Sequence, residues 1–393
     1  MVVLSSANGE LALFMLYAIL YQLSFSSSLP YLCRKDQARS LLQCKKTFSK
    51  NVDASGCFQS YAKTLSWTRS TDCCSWDGVY CNEMIGHIIE LDLSCSQIQG
   101  KFHSNNSLFR LSNLRRLDLS FNDFSGSHIL PKFGGLSNLT HLHIWGSRFT
   151  GDNELNDTFP KWLGNLPNLK LLSLKSNKLH GPIKASKNKK LFAQLQIMDL
   201  LSNLFSGNLP ANIFENFQAM KIFDENVRDP CSSFDKNIII NLSKNKFEGY
   251  IPSTIGDLTV LCTLNLSHNH LEGRIPASLH QLSVIESLDL SFNKIGGGIL
   301  QQFAFLTSLE ALNLSHNHLV GCIPKGKQYD TFEKSSYQGN DGLHGFLLSK
   351  DCGAYERIAI SNMISKRKNK MNSQIYVETF DRKKHGQRRR NSL

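Results

Sequence analysis

Few residues in this chain combine the types and spacing that chemistry needs. The segment HLHIW puts His141, His143 and Trp145 on one face of an extended strand, because successive strand side chains alternate faces. Two histidines at i and i+2 can share a metal ion, but no third ligand accompanies them, and surface recognition is the simpler role. A second concentration is STDCCSWDGVYC, which holds Cys73, Cys74 and Cys81, with Cys33 upstream. A zinc site wants regular Cys-x2-Cys pairs and usually a reducing compartment, and this spacing is irregular. The sequence contains no phosphate-cradling glycine loop of the right form, no kinase signature and no nucleophile elbow. It therefore reads as a non-enzyme, with no catalytic residue, no metal site and no cofactor.

What must position such residues is a repeat. LNLSHNHLEGRIP begins at Leu264, LDLSFNKIGGGIL at Leu288 and LNLSHNHLVGCIP at Leu312, a step of 24 residues. The shared frame LxxLxLxxNxLxGxIP puts Asn245, Asn269, Asn293 and Asn317 in register. Upstream the same slot is held by Ser96, Asn122, Ser147, Asn177 and Asn203, so the chain carries nine leucine-rich repeats. The alternating LxL predicts a short strand with its leucines pointing into a solenoid, and stacked copies bury a core that one copy cannot. At the Asn, where the strand turns away, the side-chain amide can satisfy backbone groups of neighbouring turns. Ser96 and Ser147 are shorter and should weaken that ladder locally. In this frame His141, His143 and Trp145 face the concave side, while His268 and His316 share one repeated position with Phe121 and Phe292. Pro in GxIP fixes φ and removes a donor, so the convex side should be extended and irregular with little long helix.

At 393 residues the chain is long enough for two or three compact domains, but a solenoid spends that length on one elongated body. Glu10 is followed by the apolar run LALFMLYAILYQLSF and then SSS, which reads as a secretory signal peptide over residues 1–28. No Lys or Arg precedes that run, and it is short for a membrane span. Glycosylation sequons at Asn105, Asn138, Asn156, Asn241, Asn265 and Asn313 agree with passage through the secretory route. Asn265 and Asn313 lie between strand leucines, so glycans there would project from the concave face. Eleven cysteines are an odd number, which leaves at least one without an internal partner.

The GxIP tetrapeptides at Gly249, Gly273 and Gly321 resemble those of the plant extracellular leucine-rich repeat. The stretches CRKDQARSLLQCKKTF, TLSWTRSTDCCSWDGVYC, TFPKWLGNLPNLKLLSLKSNKLHGPI and GCIPKGKQYDTFEKSSYQGNDGLHGFLLSKDCG resemble receptor-like proteins of solanaceous plants, above all the Cf group of disease-resistance receptors. The resemblance implies an α/β-type leucine-rich-repeat solenoid with a parallel β concave face, an irregular or 3-10 convex side and a disulfide-stabilised N-terminal cap. It implies the pairs Cys33–Cys73 and Cys74–Cys81, and leaves Cys44, Cys57, Cys95, Cys231, Cys262, Cys322 and Cys352 unassigned. Where many plant repeat proteins end in GLCG this chain has GLHG, so His344 stands where a Cys would meet Cys352. The expectation is a partly open C-terminal cap with Cys352 free or mispaired.

The chain departs from the family in three places. Its repeats are fewer, as if a block after about Gly151 were missing. The step from Asn203 to Asn245 is 42 residues, and within it residues 217–238 read as a shortened island with little fixed structure. Beyond Gly353 the family continues into a transmembrane helix, whereas this chain has no apolar run of the roughly 20 residues a span needs. That tail holds eleven Lys and Arg against three Asp and Glu, so the excess of the +12 net charge reads as a property of a disordered end. The resulting plan is signal peptide 1–28, cap 29–84, repeats 85–216, island 217–238, repeats 239–324, C-terminal cap 325–353 and basic tail 354–393.

By resemblance, the function is recognition of a protein or peptide elicitor in plant defence, with signalling through partner receptor kinases at the cell surface or in the apoplast and no specific nucleic acid. The alternative is a soluble apoplastic inhibitor or decoy similar to polygalacturonase-inhibiting proteins, or a truncated product without function. Candidate ligand contacts are Arg116, Asp118, Phe121, His141, His143, Trp145, Ser173 and Lys175. Candidate co-receptor contacts are Thr263, His268, Asp289, Phe292 and His316.

Overall fold

A computed structural model of the chain describes residues 32–128, 131–149, 159, 162–163, 166–183, 192–221, 231, 237–326, 328–348 and 352. The signal peptide, the sequon at Asn156 and the basic tail lie outside the described residues.

Each LxL motif forms a three- to five-residue strand, and nine of these, from Ile88–Asp92 to Ala311–Asn313, pair in parallel. A tenth strand, Val79–Cys81 of the cap, pairs antiparallel with the first. The middle residues Leu91, Leu117, Leu142, Leu172, Met198, Ile240, Leu264, Leu288 and Leu312 are buried. At about 1.5–3 kcal/mol for each such side chain, this row and the leucines two residues on form the interior. The residues on either side of the middle one face the concave surface, as the period of two demands.

The asparagine ladder is continuous wherever Asn holds the slot. In Asn269 the Nδ2 donates to the carbonyls of Leu242, Leu266 and Ser267, and the Oδ1 accepts from the Phe247 N–H at 3.0 Å. Asn122, Asn177, Asn203, Asn245, Asn293 and Asn317 each repeat this fourfold pattern. The Ser147 hydroxyl reaches only the carbonyls of Leu119 and Trp145, and its main-chain carbonyl takes the Phe124 N–H instead. The ladder also extends one step beyond the nine repeats, because Asn340 accepts from Leu319 N–H and donates to the carbonyls of Leu314 and Tyr337.

The convex side is more ordered than the proline argument alone suggests. Short 3-10 turns such as Ser253–Asp257, Ala277–Gln281 and Gln301–Phe305 line it. Between them and the concave strands runs a second parallel sheet of seven strands, from His180–Pro182 to Gly342–His344. The first glycine of GxIP sits in this sheet with φ near +70 to +90°, as at Gly249 (φ 71°), Gly273 (φ 79°) and Gly321 (φ 88°). Only glycine occupies that region freely, which is why the motif begins with it.

In the cap, the helix Lys35–Lys45 buries Gln37, Ser40, Leu41 and Cys44 over the first turn of the solenoid. Trp67 and Trp76 stack beneath it with ring centroids 5.8 Å apart. Five disulfides join Cys33–Cys73, Cys57–Cys95, Cys74–Cys81, Cys231–Cys262 and Cys322–Cys352, and buried Cys44 is the free thiol.

Two expectations are corrected. Cys352 is not left over: it bonds Cys322, the residue inside GCIP, so the absent Cys at His344 does not open the C-terminal cap. His344 instead belongs to the last strand of the second sheet and pairs with Cys322 in register. Nor is the island structureless from its first residue, because Phe217 and Met220 are fully buried and Gln218–Met220 forms a 3-10 turn. Apolar residues at 214, 217 and 220 continue the repeat spacing, and burying them outweighs the entropy of a loose loop.

Candidate functional site

The strand register fixes which side chains meet on the concave surface. The third strand residue forms the row Asp92, Asp118, His143, Ser173, Asp199, Asn241, Asn265, Asp289, Asn313. Where an acid or amide stands there, its oxygen accepts the N–H two residues later, as Asp118 does for Ser120 and Asp289 for Ser291.

Three residues beyond that row the backbone turns into the left-handed region in repeat after repeat: Cys95, Phe121, Gly146, Ser176, Ser202, Lys244, His268, Phe292 and His316 all have φ between 51 and 60°. A non-glycine residue there costs roughly 1–2 kcal/mol. An inter-repeat hydrogen bond offsets it: Phe121 N–H donates to the Trp145 carbonyl at 2.7 Å, His268 to Ser291 at 2.9 Å and Phe292 to Ser315 at 3.0 Å. The turn pushes these side chains out along one edge of the concave face.

At the first five repeats the surface dips into a depression of about 430 Å³. Asp118, Phe121, His143, Trp145, Ser173 and Lys175 line it, six of the eight residues singled out in the sequence. Phe121 and Trp145 pack at 4.4 Å between centroids, Lys175 Nζ lies 3.5 Å above the Trp145 ring, and the same ammonium is 3.4 Å from Asp199. The result is one connected row from aromatic to cation to carboxylate. Trp145 keeps 36 % of its surface exposed, against 23 % and 15 % for the side chains of Lys175 and Asp199, so the aromatic end of the row is the part presented to solvent. Burial holds the His143 imidazole below the ordinary histidine range, with Asp118 pulling it up and Arg116 and Lys175 pushing it down. Burial pushes the Asp199 carboxyl above its usual range against the pull of Lys175.

The other two residues stand outside the depression. Arg116 lies 3.8 Å from Glu90, and His141 Nδ1 is 2.8 Å from the Thr140 hydroxyl. Sequence reasoning missed Asp199 and the apolar floor of Leu171 and Ile197. Their signal was available, since Asp199 repeats the position of Asp118, and Leu171 and Ile197 repeat that of Arg116.

In the later repeats His268, Phe292 and His316 form a parallel stack, with centroids 4.3 and 4.2 Å apart and planes inclined by 20°. Thr263 and Asp289 lie on the strands beside it. Asn241, Asn265 and Asn313 occupy the third strand position, half-buried, and each Oδ1 accepts from the hydroxyl of the sequon serine. Asn105 and Asn138 are exposed.

Three sequence-family models match the chain: "Leucine rich repeat N-terminal domain" over residues 34–82, "Leucine rich repeat" over 239–295, and "Leucine Rich Repeat" over 113–136, 285–306 and 308–326. Receptor-like protein Cf-9 of Solanum pimpinellifolium is 61% identical over 134 residues, which is 32% of this chain and 16% of that protein. Receptor-like protein 9DC1 of the same species is 50% identical over 218 residues, 53% of this chain and 24% of that protein. The chain thus matches a quarter or less of the length of these curated relatives. Among solved structures, the Arabidopsis receptor kinase HAESA, in complex with the peptide hormone IDA and the co-receptor SERK1, superposes with a TM-score of 0.57 at 25% identity, covering 79% of this chain and 49% of that one. The fold is a leucine-rich-repeat solenoid. Among the described residues no helix is long and apolar enough to cross a membrane.

Proposed function

We propose, from the likeness of its cap and repeats to the Cf-type receptor-like proteins of Solanum, that this chain is a non-catalytic extracellular recognition module that binds a protein or peptide elicitor. The observation that carries the reading is the connected row Phe121, Trp145, Lys175 and Asp199 that lines the concave depression, with Trp145 at its exposed end. Such a row offers what a peptide needs: an aromatic ledge for an apolar side chain, with a cation and a carboxylate to fix its polarity.

A second surface follows from the same repeats. The stack of His268, Phe292 and His316 leaves Phe292 44 % exposed at the edge of the concave face. We assign it, with Thr263 and Asp289, to contact with a partner ectodomain, the kind of partner that the structurally similar HAESA has in its complex with SERK1. Signalling through a membrane receptor kinase is then the downstream step.

The test is peptide selection against the purified glycoprotein. Sequences enriched on the wild type should lose at least tenfold in affinity on Trp145→Ala/Lys175→Ala, as expected for removing a central aromatic anchor worth about 2 kcal/mol or more. Phe292→Ala should leave peptide affinity unchanged and weaken capture of a co-receptor ectodomain. Peptides that bind both proteins equally would refute the concave assignment.

A further inference from the structure

The sequence places the excess charge in the tail, yet residues 34–69 carry eight Lys and Arg against two Asp and Glu, a net of +6. The structure gathers part of this charge into one cleft of about 920 Å³ on the outer side of the cap helix. Lys35, Arg39, Lys45 and Lys46 line its helical wall, Arg69 faces them from the loop opposite, and no Asp or Glu lines it. Among the described residues Lys35, Arg39, Lys46 and Arg69 have no ion-pair partner; Lys45 is held by the Trp67 carbonyl at 3.1 Å. The nearest helical acid, Asp36, is already bonded to Arg34.

We propose that this cleft binds an acidic polysaccharide, a chain whose repeating sugars carry carboxylates. Its cations are spread along the helix over roughly 16 Å, taking 1.5 Å per residue from Lys35 to Lys46, so they match a row of charges and not a single anion. Between them Gln43, Thr68 and Thr71 add neutral donors and acceptors that suit sugar hydroxyls. Trp67 and Trp76, the aromatic lining, are 2 % and 3 % exposed, which gives nucleic-acid bases no platform to stack on. No exposed large apolar side chain lines the cleft, so nothing would enter a lipid surface. Repulsion among five clustered cations disfavours the empty cleft, and a polyanion would remove it and release its own counterions.

The experiment measures binding of the full glycoprotein to a size-defined uronate oligomer at increasing salt, beside a neutral glucan oligomer, polyglutamate and phosphatidylserine vesicles. The expected result is uronate binding that weakens steeply with salt, and no glucan binding. Arg39→Gln/Lys46→Gln should bind uronate roughly thirtyfold more weakly, at about fivefold per cation facing an anionic surface. The equal charge change Lys246→Gln/Lys294→Gln, at exposed positions on the second sheet, should bind as wild type. Protection of Lys35 and Lys46 from acetylation by the oligomer reads the same site without a substitution. Equal binding by both double variants, no protection, or preference for polyglutamate or vesicles would overturn the proposal. The concave variant Trp145→Ala/Lys175→Ala should retain uronate binding, so failure here and failure of the peptide reading are separate outcomes.

Discussion

Replacing Asn269 by Ala tests whether the ladder holds the repeats together. Asn269 is 5 % exposed and makes four hydrogen bonds, which differ in what their loss leaves behind. The Phe247 N–H would lose its acceptor and remain buried, at a cost of about 1–3 kcal/mol. The three carbonyls each keep another donor: Leu242 keeps Asn245, Ser267 keeps the Lys244 N–H, and Leu266 keeps Asn293. Losing a second bond costs each of them half of a typical net hydrogen bond, about 0.5 kcal/mol. Together these give about 2.5–4.5 kcal/mol for Asn269→Ala. Asn269→Ser should cost about 1 kcal/mol less, because Ser147 shows that a hydroxyl in this slot reaches two carbonyls. Urea unfolding followed by circular dichroism and fitted as a chain of coupled repeats would read the loss as a midpoint shift on the order of 1 M. Hydrogen exchange at Phe247 would show whether the lost protection starts there. If Asn269→Ala lies within about 0.5 kcal/mol of wild type, the ladder is geometry without energetic weight, and the reasoning fails.

At the left-handed position, Phe292→Gly should be more stable than Phe292→Ala by about 1 kcal/mol, because φ is 54° and the stack is lost in both; equal midpoints would place the strain elsewhere. The His143 imidazole sits below its ordinary range, so as pH falls below about 6.5 the unfolded chain takes up that proton first and stability falls; His143→Gln should flatten this part of the pH profile. Asp199 has the opposite sign, since its folded value is raised: the folded chain keeps the proton longer, and stability declines as pH rises from about 4 through that value, a slope that Asp199→Asn should remove. Cys352→Ser should destabilise the C-terminal end by about 2–4 kcal/mol, the chain-entropy value for a loop of this size, and peptide mapping of the wild type should recover Cys322 bonded to Cys352.

Much of the fold was legible because one period wrote it nine times. Leu264, Leu288 and Leu312 mark the strand middles, and Asn245 to Asn317 mark the turns. Asn340 was missed because its turn, YQGN, lacks the preceding LxL and survives only as a spacing of 23 from Asn317. The Cys322–Cys352 bond was misread because the argument ran through a consensus slot at His344, whereas a disulfide needs only two sulfurs whose backbones approach, here at 5.7 Å between Cα atoms. Within the site, the strand frame identified Asp118, His143, Trp145 and Lys175, and the floor went unnoticed because Leu171 and Ile197 resemble core residues in type. Apolar identity does not separate a residue facing inward from one facing a concave surface; only strand parity does.

The left-handed turn ties this fold to its use. Its residue has a strained backbone and a side chain that projects outward, and the hydrogen bond that offsets the strain comes from the main chain of the next repeat. The stabilising partner is therefore indifferent to which side chain stands there, as Cys95, Phe121, Lys244, His268 and Phe292 show. A solenoid built this way can change the chemistry along one edge of its concave face from repeat to repeat at nearly constant backbone cost. Aromatic residues at this position, Phe121 beside the depression and Phe292 within the later stack, are thus free to be set by what they touch and not by what the fold needs.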